Sequence, residues 1–152
     1  MRLVEASPVH IPYLAEHMRA ADVEECAAYG RRPATALSSA LGASLWAMTA
    51  IVDDEPHAMM GVSSLSMMGS VGVPWMLGTD RVYDHARDLA RYAPLILSEM
   101  HGTFDTLENY VSTGNARALR FLRHAGFEIC EGVTMVGGIP FVRFRKERPD
   151  SV

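Results

Sequence analysis

Apolar residues in the first forty positions recur at helical spacing. In SPVHIPYLAEHMRAAD, Ile11, Leu14, Ala15 and Met18 stand at i, i+3, i+4 and i+7, one face of an amphipathic helix, and RLVEA ahead of it reads as a strand. Asp22 and Glu25 have the spacing of a capping box, so a short second helix is expected to start there and to end near Gly30. Pro33, followed by Leu37 and Leu41 one turn apart, predicts a third helix. The pattern then changes. LWAMTAIV, the turn DDEP and HAMMGVSSL predict a hairpin, SMMGSVG a loop, and VPWML a third strand that Gly78, Thr79 and Asp80 break. RVYDHARDLARYAPLILSEM predicts a long helix with Leu89, Tyr92, Ala93 and Ile96 on one face, kinked or split at Pro94. TLENYVS is a strand. In STGNARALRFLRHAGFEI, Asn115 is placed to cap a helix whose apolar face is Ala118, Leu119, Leu122 and Ala125, with Gly126 as its left-handed stop. FEICEG, a GG turn and the strand FVRFR follow.

This order, a strand, helices, three strands, a long helix, a strand, a helix and a closing pair, predicts an α/β or α+β sheet with helices on both faces. VPWML, the long helix and TLENYVS form a β-α-β unit with a parallel strand pair. One domain is expected over residues 1–146, with 147–152 as a polar tail.

Composition changes this picture little. Of 152 residues, 49% are hydrophobic and 21% charged, the balance of a folded chain. A net charge of −4 without a charged block gives neither nucleic acid nor a membrane surface a reason to bind, and there is no apolar run of spanning length. The N-terminus lacks a signal-peptide core, so a reducing cytoplasm is expected, with Cys26 and Cys130 either paired or free. Ten methionines, several in HAMMGVSSLSMMG, read as flexible core filling. The six histidines form no H-x-x-x-H pair and the cysteines no C-x-x-C, so no metal is expected. Nucleotide-loop and nucleophile-elbow spacings are also missing. Arg117, Arg120 and Arg123 recur at every third position and read as a solvated helix face.

The spacing Asn115-x-x-Ala118-x-x-Phe121-Leu122-x-x-x-Gly126-Phe127 resembles the motif near the C-terminus of the GNAT superfamily of N-acetyltransferases. The element order matches that superfamily over nearly the whole chain. The resemblance implies a mostly antiparallel twisted sheet in which the central parallel strands, here VPWML and TLENYVS, splay apart around acetyl-CoA. It further implies that Asn115 reaches the pantetheine or phosphate arm, that Ala118 lets the cofactor pass close to the helix, and that Phe121 lies beside it.

The superfamily's pyrophosphate motif, Gln/Arg-x-x-Gly-x-Gly/Ala, has its counterpart in Arg81-Val82-Tyr83-Asp84-His85-Ala86. Backbone N–H groups at a helix start bind phosphate there, and glycines let it approach. The implied cofactor contacts are Leu77, Gly78, Thr79, Arg81, Asp84, His85, Ala86 and Arg87. Asp84 departs from the pattern: a carboxylate within about 4 Å of phosphate costs roughly 1–4 kcal/mol, which Arg81, His85 and Arg87 can offset. Asp80 or Asp84 reads equally as a helix cap. A second departure is Leu122, where relatives often carry a Tyr that protonates the leaving thiolate. Tyr83, Tyr92 and Tyr110 are candidate substitutes; Glu24, Glu25 and His57 are candidate bases by residue type alone, and no spacing selects among them.

GVPWMLGTDRVYDHARDLAR, with GGIPFVRF, also looks like tailed-phage proteins of this fold, some of them internal virion proteins. The expectation is therefore an acetyl-CoA-dependent N-acetyltransferase of phage origin, acting directly on an amine of a small molecule or protein in the cytoplasm of an infected bacterium. The alternative is a catalytically degenerate member, a virion or host-takeover protein that uses the fold to bind other proteins.

Overall fold

The computed structural model describes residues 1–150. One sheet organises them. Its strands are β1 (Arg2–Glu5), β2 (Ser44–Val52), β3 (Glu55–Ser64), β4 (Val71–Gly78), β5 (Thr106–Ser112), β6 (Glu128–Ile129), β7 (Thr134–Val136) and β8 (Ile139–Glu147). The order is β1-β2-β3-β4-β5-β8-β6, with β7 also on β8. Every pairing is antiparallel except β4 with β5. The helices are α1 (Ile11–Glu16), α2 (Ala20–Ala28), α3 (Pro33–Ala43), α4 (Arg81–Asp84), α5 (Ala86–His101) and α6 (Ala116–His124). This is the mixed α/β architecture that the order of elements predicts. No helix among the described residues is long and apolar enough to cross a membrane.

The pleat sends neighbouring residues of the inner strands to opposite faces. Met59, Trp75 and Leu77 pack against Leu14, Cys26 and Leu37 from α1, α2 and α3. Met60 and Met76 pack on the other face against Val82, Leu89 and Phe121. Further along that second face, Val62, Leu107 and Phe144 meet Met100 and Phe104, with Leu122 of α6 at the edge. The buried methionines are core filling, as expected. Met67 and Met68 are not: they stand fully exposed in the β3–β4 connection. The β2–β3 hairpin closes through Asp53 and Asp54, both at positive φ (50° and 63°), the geometry of a two-residue primed turn.

Four local expectations are corrected. Asp22 does not cap α2; Arg19 holds the cap position, and Asp22 lies buried in the first turn with its carboxylate turned to other elements. Pro94 does not split the long helix. It lies within α5 on the exposed side, where water can satisfy the carbonyl that its ring leaves unpaired. The break falls instead at His85 (φ −104°, ψ 41°), between α4 and α5. A short strand not anticipated from the sequence, β7, precedes the GG turn. At the far end β8 runs to Glu147, and Arg148 donates its backbone N–H to the Asp105 carbonyl at 2.7 Å. Both cysteines are free thiols, Cys26 buried and Cys130 half-buried.

Candidate active site

β4 and β5 share only two parallel rungs, Val71 with Thr106 and Gly72 with Leu107. Beyond them the strands part. In β4 the odd-numbered residues bond to β3, so the even-numbered ones turn N–H and C=O toward the gap. The first of these is Pro74, which has no N–H to offer. Its carbonyl accepts from Asn109 Nδ2 at 2.8 Å, while Asn109 Oδ1 accepts the N–H of Tyr110 at 2.8 Å. One side chain thus stands in for a missing rung and fixes where the splay begins. At the far end, Gly78 donates its N–H to Asp22 Oδ2 (3.0 Å) and its carbonyl accepts the N–H of Arg19 (2.9 Å). Across the gap on β5, Ser112 donates its N–H to Glu25 Oε1 at 2.9 Å. Between these occupied positions lies Met76, whose N–H and C=O face the gap with no partner among the described residues.

A cavity of about 480 Å³ runs through this gap. Its walls come from both faces of the sheet: Glu25, Tyr29, Ala36 and Trp75 on the side of α2 and α3, and Met60, Tyr83, Ala118 and Phe121 on the side of α5 and α6. Since the sheet would otherwise separate these groups, the opening between β4 and β5 is what joins them. The size and the apolar walls with a few polar groups are those of a small-molecule site.

A buried polar cluster closes one end of the gap. Arg19 Nη1 donates to Asp22 Oδ1 (2.8 Å) and to Asn115 Oδ1 (3.1 Å), and its guanidinium lies 4.8 Å from the centre of the Tyr83 ring. Asn115 also caps α6 by accepting from Ala118 N–H at 3.4 Å, and its amide donates to Glu25 Oε1 at 3.0 Å. Arg19, Asp22 and Asn115 are each at most 6% exposed. Burial pushes the Asp22 carboxyl up to about 6, against the pull of the Gly78 N–H and of Arg19. Burial raises the Glu25 carboxyl as well, against the donors from Asn115 and Ser112. Burial, reinforced by the charge of Asp22, drives the Tyr83 hydroxyl to about 12 and the Cys26 thiol to about 11. One arginine among two carboxylates leaves this end of the cavity with an excess of negative charge.

The two carboxylates differ in what they have left. Both oxygens of Asp22 are bound, one by Arg19 and one by Gly78. Glu25 has one oxygen held by Ser112 and Asn115, and no described residue bonds to Oε2. Asp22 carries the larger rise in pKa, yet its geometry makes it a structural anchor; Glu25 is the carboxylate with a free face on the cavity.

The residues expected at the site divide into two groups. Glu25, Leu77, Tyr83, Tyr110, Asn115, Ala118 and Phe121 line the cavity, as does Leu122. Gly78 lies at its end. Thr79 is buried beside it, with Oγ1 2.7 Å from His57 Nδ1 and accepting from the N–H of Arg81. Arg81 pairs with Asp53 on the β2–β3 turn. Asp84, the last residue of α4, and Ala86 and Arg87, the first two of α5, are exposed, and His85 between them is half-buried with Nδ1 3.6 Å from Asp88. These last six residues lie outside the cavity wall. Among the other candidates, Glu24 is exposed and His57 is buried against Tyr13, with burial lowering its pKa. Tyr92 lines the cavity and donates its hydroxyl to the Met1 carbonyl at 3.4 Å. No group of three or more His, Cys, Asp or Glu residues among the described residues is placed to hold a metal. Arg19, Met76 and Asn109 are site residues that sequence spacing does not single out, and spacing marks Asp22 only as a helix cap, because their partners lie on other elements.

No protein-family model and no curated protein sequence matches the chain. Solved structures do. A ribosomal-protein-alanine N-acetyltransferase from Brucella melitensis superposes with a TM-score of 0.68 at 12% identity, over 97% of this chain and 100% of its own. Aminoglycoside 6'-acetyltransferase type Ii gives 0.69 at 18% identity, over 98% and 100%. A further aminoglycoside acetyltransferase, solved with ribostamycin and coenzyme A, gives 0.68 at 16%, over 96% and 92%. At these identities the likeness is one of fold, and the chain has the fold of the GNAT acetyltransferases.

Proposed function

We propose that the protein transfers an acetyl group from acetyl-CoA to a primary amine. The observation that carries this reading is the unpartnered N–H and C=O of Met76, facing a cavity that exists only because β4 and β5 part. An extended thioester arm laid in that gap would complete the missing strand pairing. The neighbouring proteins solved with coenzyme A support acetyl-CoA as the co-substrate. Ala118 and Phe121 would flank the arm, and the free N–H groups at the start of α5, with His85 and Arg87 beside them, would meet its phosphates.

Acetyl-CoA supplies a thioester whose carbonyl carbon takes the amine nitrogen as the carbon–sulfur bond breaks. Met76 donates its N–H to the carbonyl oxygen, where negative charge develops. The excess negative charge at Asp22 and Glu25 draws in an ammonium group, and Glu25 Oε2 accepts its proton. Asn115 and Ser112 fix Glu25 through the other oxygen, so the free one has a set direction. Tyr83 is a poor acid for the sulfur. With its hydroxyl near 12 and a thiol near 8.5, proton transfer would run uphill by about 5 kcal/mol, so the sulfur leaves as thiolate and is protonated only after release, by equilibration with buffered solvent at a pH below the thiol's own value. On this account Leu122, where relatives often have Tyr, is compatible with turnover.

The likeness of PWMLGTD to tailed-phage proteins supports a phage or prophage source and action in the infected cell. It also supports the second reading, a binding module of the virion, which the apolar Leu122 in the cavity wall favours. Thiol release from acetyl-CoA in the presence of amines separates the two. Glu25→Gln should lower kcat/KM by roughly 10²–10⁴ while acetyl-CoA still binds; transfer at the wild-type rate would remove Glu25 from the mechanism.

A further inference from the structure

The half of the cavity under α2 and α3 has a composition that selects among amines. Its walls are Ala36, Trp75, Tyr29 and Phe141, the last two in edge-on contact with ring centres 5.6 Å apart. Trp75 spends its Nε1–H on Ser44 Oγ at 2.7 Å, so it presents only an apolar surface. Against these walls stand two opposite charges. The free oxygen of Glu25 lies at the gap, and Arg31 lies on the cavity wall just past the end of α2. Arg31 is held there by its own backbone, which bonds to the Cys26 carbonyl at 3.0 Å after Gly30 turns the chain at φ 72°. Its guanidinium, exposed, has no ion pair or hydrogen bond with any described residue.

We infer that the acceptor is a primary amine joined through an aromatic or apolar body to an anionic group, with the amine at Glu25, the body against Trp75 and Phe141, and the anion at Arg31. This rests on the acyl-transfer reading and narrows it. A polycation such as an aminoglycoside or a polyamine fits badly. It needs several carboxylates, finds one with a free oxygen, and meets a cation at Arg31. Its hydroxyl groups would also lose water against apolar walls without finding partners.

The test measures thiol release from saturating acetyl-CoA with 4-(aminomethyl)benzoate, benzylamine, spermidine and kanamycin, and acetyl-CoA binding by calorimetry on the same preparations. The anionic amine should exceed benzylamine in kcat/KM by about tenfold or more, the effect of one charge-assisted contact. Spermidine and kanamycin should be the poorest. Arg31→Ala should bring 4-(aminomethyl)benzoate down to the level of benzylamine, and Arg31→Glu should place benzylamine ahead. Kanamycin or spermidine as the best acceptor, an Arg31→Ala ratio equal to that of the wild type, or acetyl-CoA binding with no acceptor turned over would overturn this inference. Absence of acetyl-CoA binding would instead overturn the acyl-transfer reading beneath it.

Discussion

Asp22 and Glu25 sit one helical turn apart on α2, and their surroundings give them different work. Asp22 ties the end of β4 to Arg19, and burial holds its carboxyl near 6. A folded-state value above the unfolded one means that the folded protein binds this proton more tightly. The contribution to stability is therefore full below about pH 4 and is lost as pH rises through 6. A rise from 3.8 to about 6 corresponds to about 3 kcal/mol. Urea unfolding of the wild type and of Asp22→Asn across pH 4 to 7.5 should show this as a difference. The wild type should lose about 3 kcal/mol relative to the variant as pH rises through that window. Parallel pH profiles would mean that Asp22 is ionised at little cost.

The elements show which local signals sufficed. Period and punctuation marked α1, α3, the β2–β3 hairpin and α6 with its Asn115 cap and Gly126 stop. Those signals act within a few residues. The features that shape the gap act over long separations. Asp22 pairs with Gly78 across 56 positions, Glu25 with Ser112 across 87, and Asn109 with Pro74 across 35. A capping-box spacing at Asp22 and Glu25 was therefore visible in the sequence, while its use as a clamp on two strands was not. The break at His85 was hidden for a similar reason: Pro94 is the stronger local signal, but it lies where water can satisfy the backbone. The GG turn carries a comparable long-range contact. Gly137 (φ 56°) has the Ala28 carbonyl of α2 where a Cβ would sit, whereas Gly138 (φ 79°) faces open space. Gly138→Ala should cost about 1–2 kcal/mol for its left-handed backbone alone. Gly137→Ala should cost about 1–3 kcal/mol more, because α2 or the turn must shift. Equal losses in thermal unfolding would show that the turn does not bear on α2.

At the scale of the whole molecule, sheet and helices together produce one functional feature: a gap between two parallel strands, opened by Pro74 and Asn109, closed at its far end by α2 and flanked by α6. The spacing from Asn115 to Phe127 pointed to this place, and Asn115, Ala118 and Phe121 line or bound it. Apart from Tyr83, the stretch from Thr79 to Arg87 lies outside the cavity wall, and its part in binding rests on the start of α5. The account stands on the gap being an acyl-CoA site, and calorimetric titration of acetyl-CoA into the protein tests that most directly. It predicts one-to-one binding at micromolar cofactor, weakened by salt as expected for phosphate contacts. No heat of binding at millimolar acetyl-CoA would contradict it.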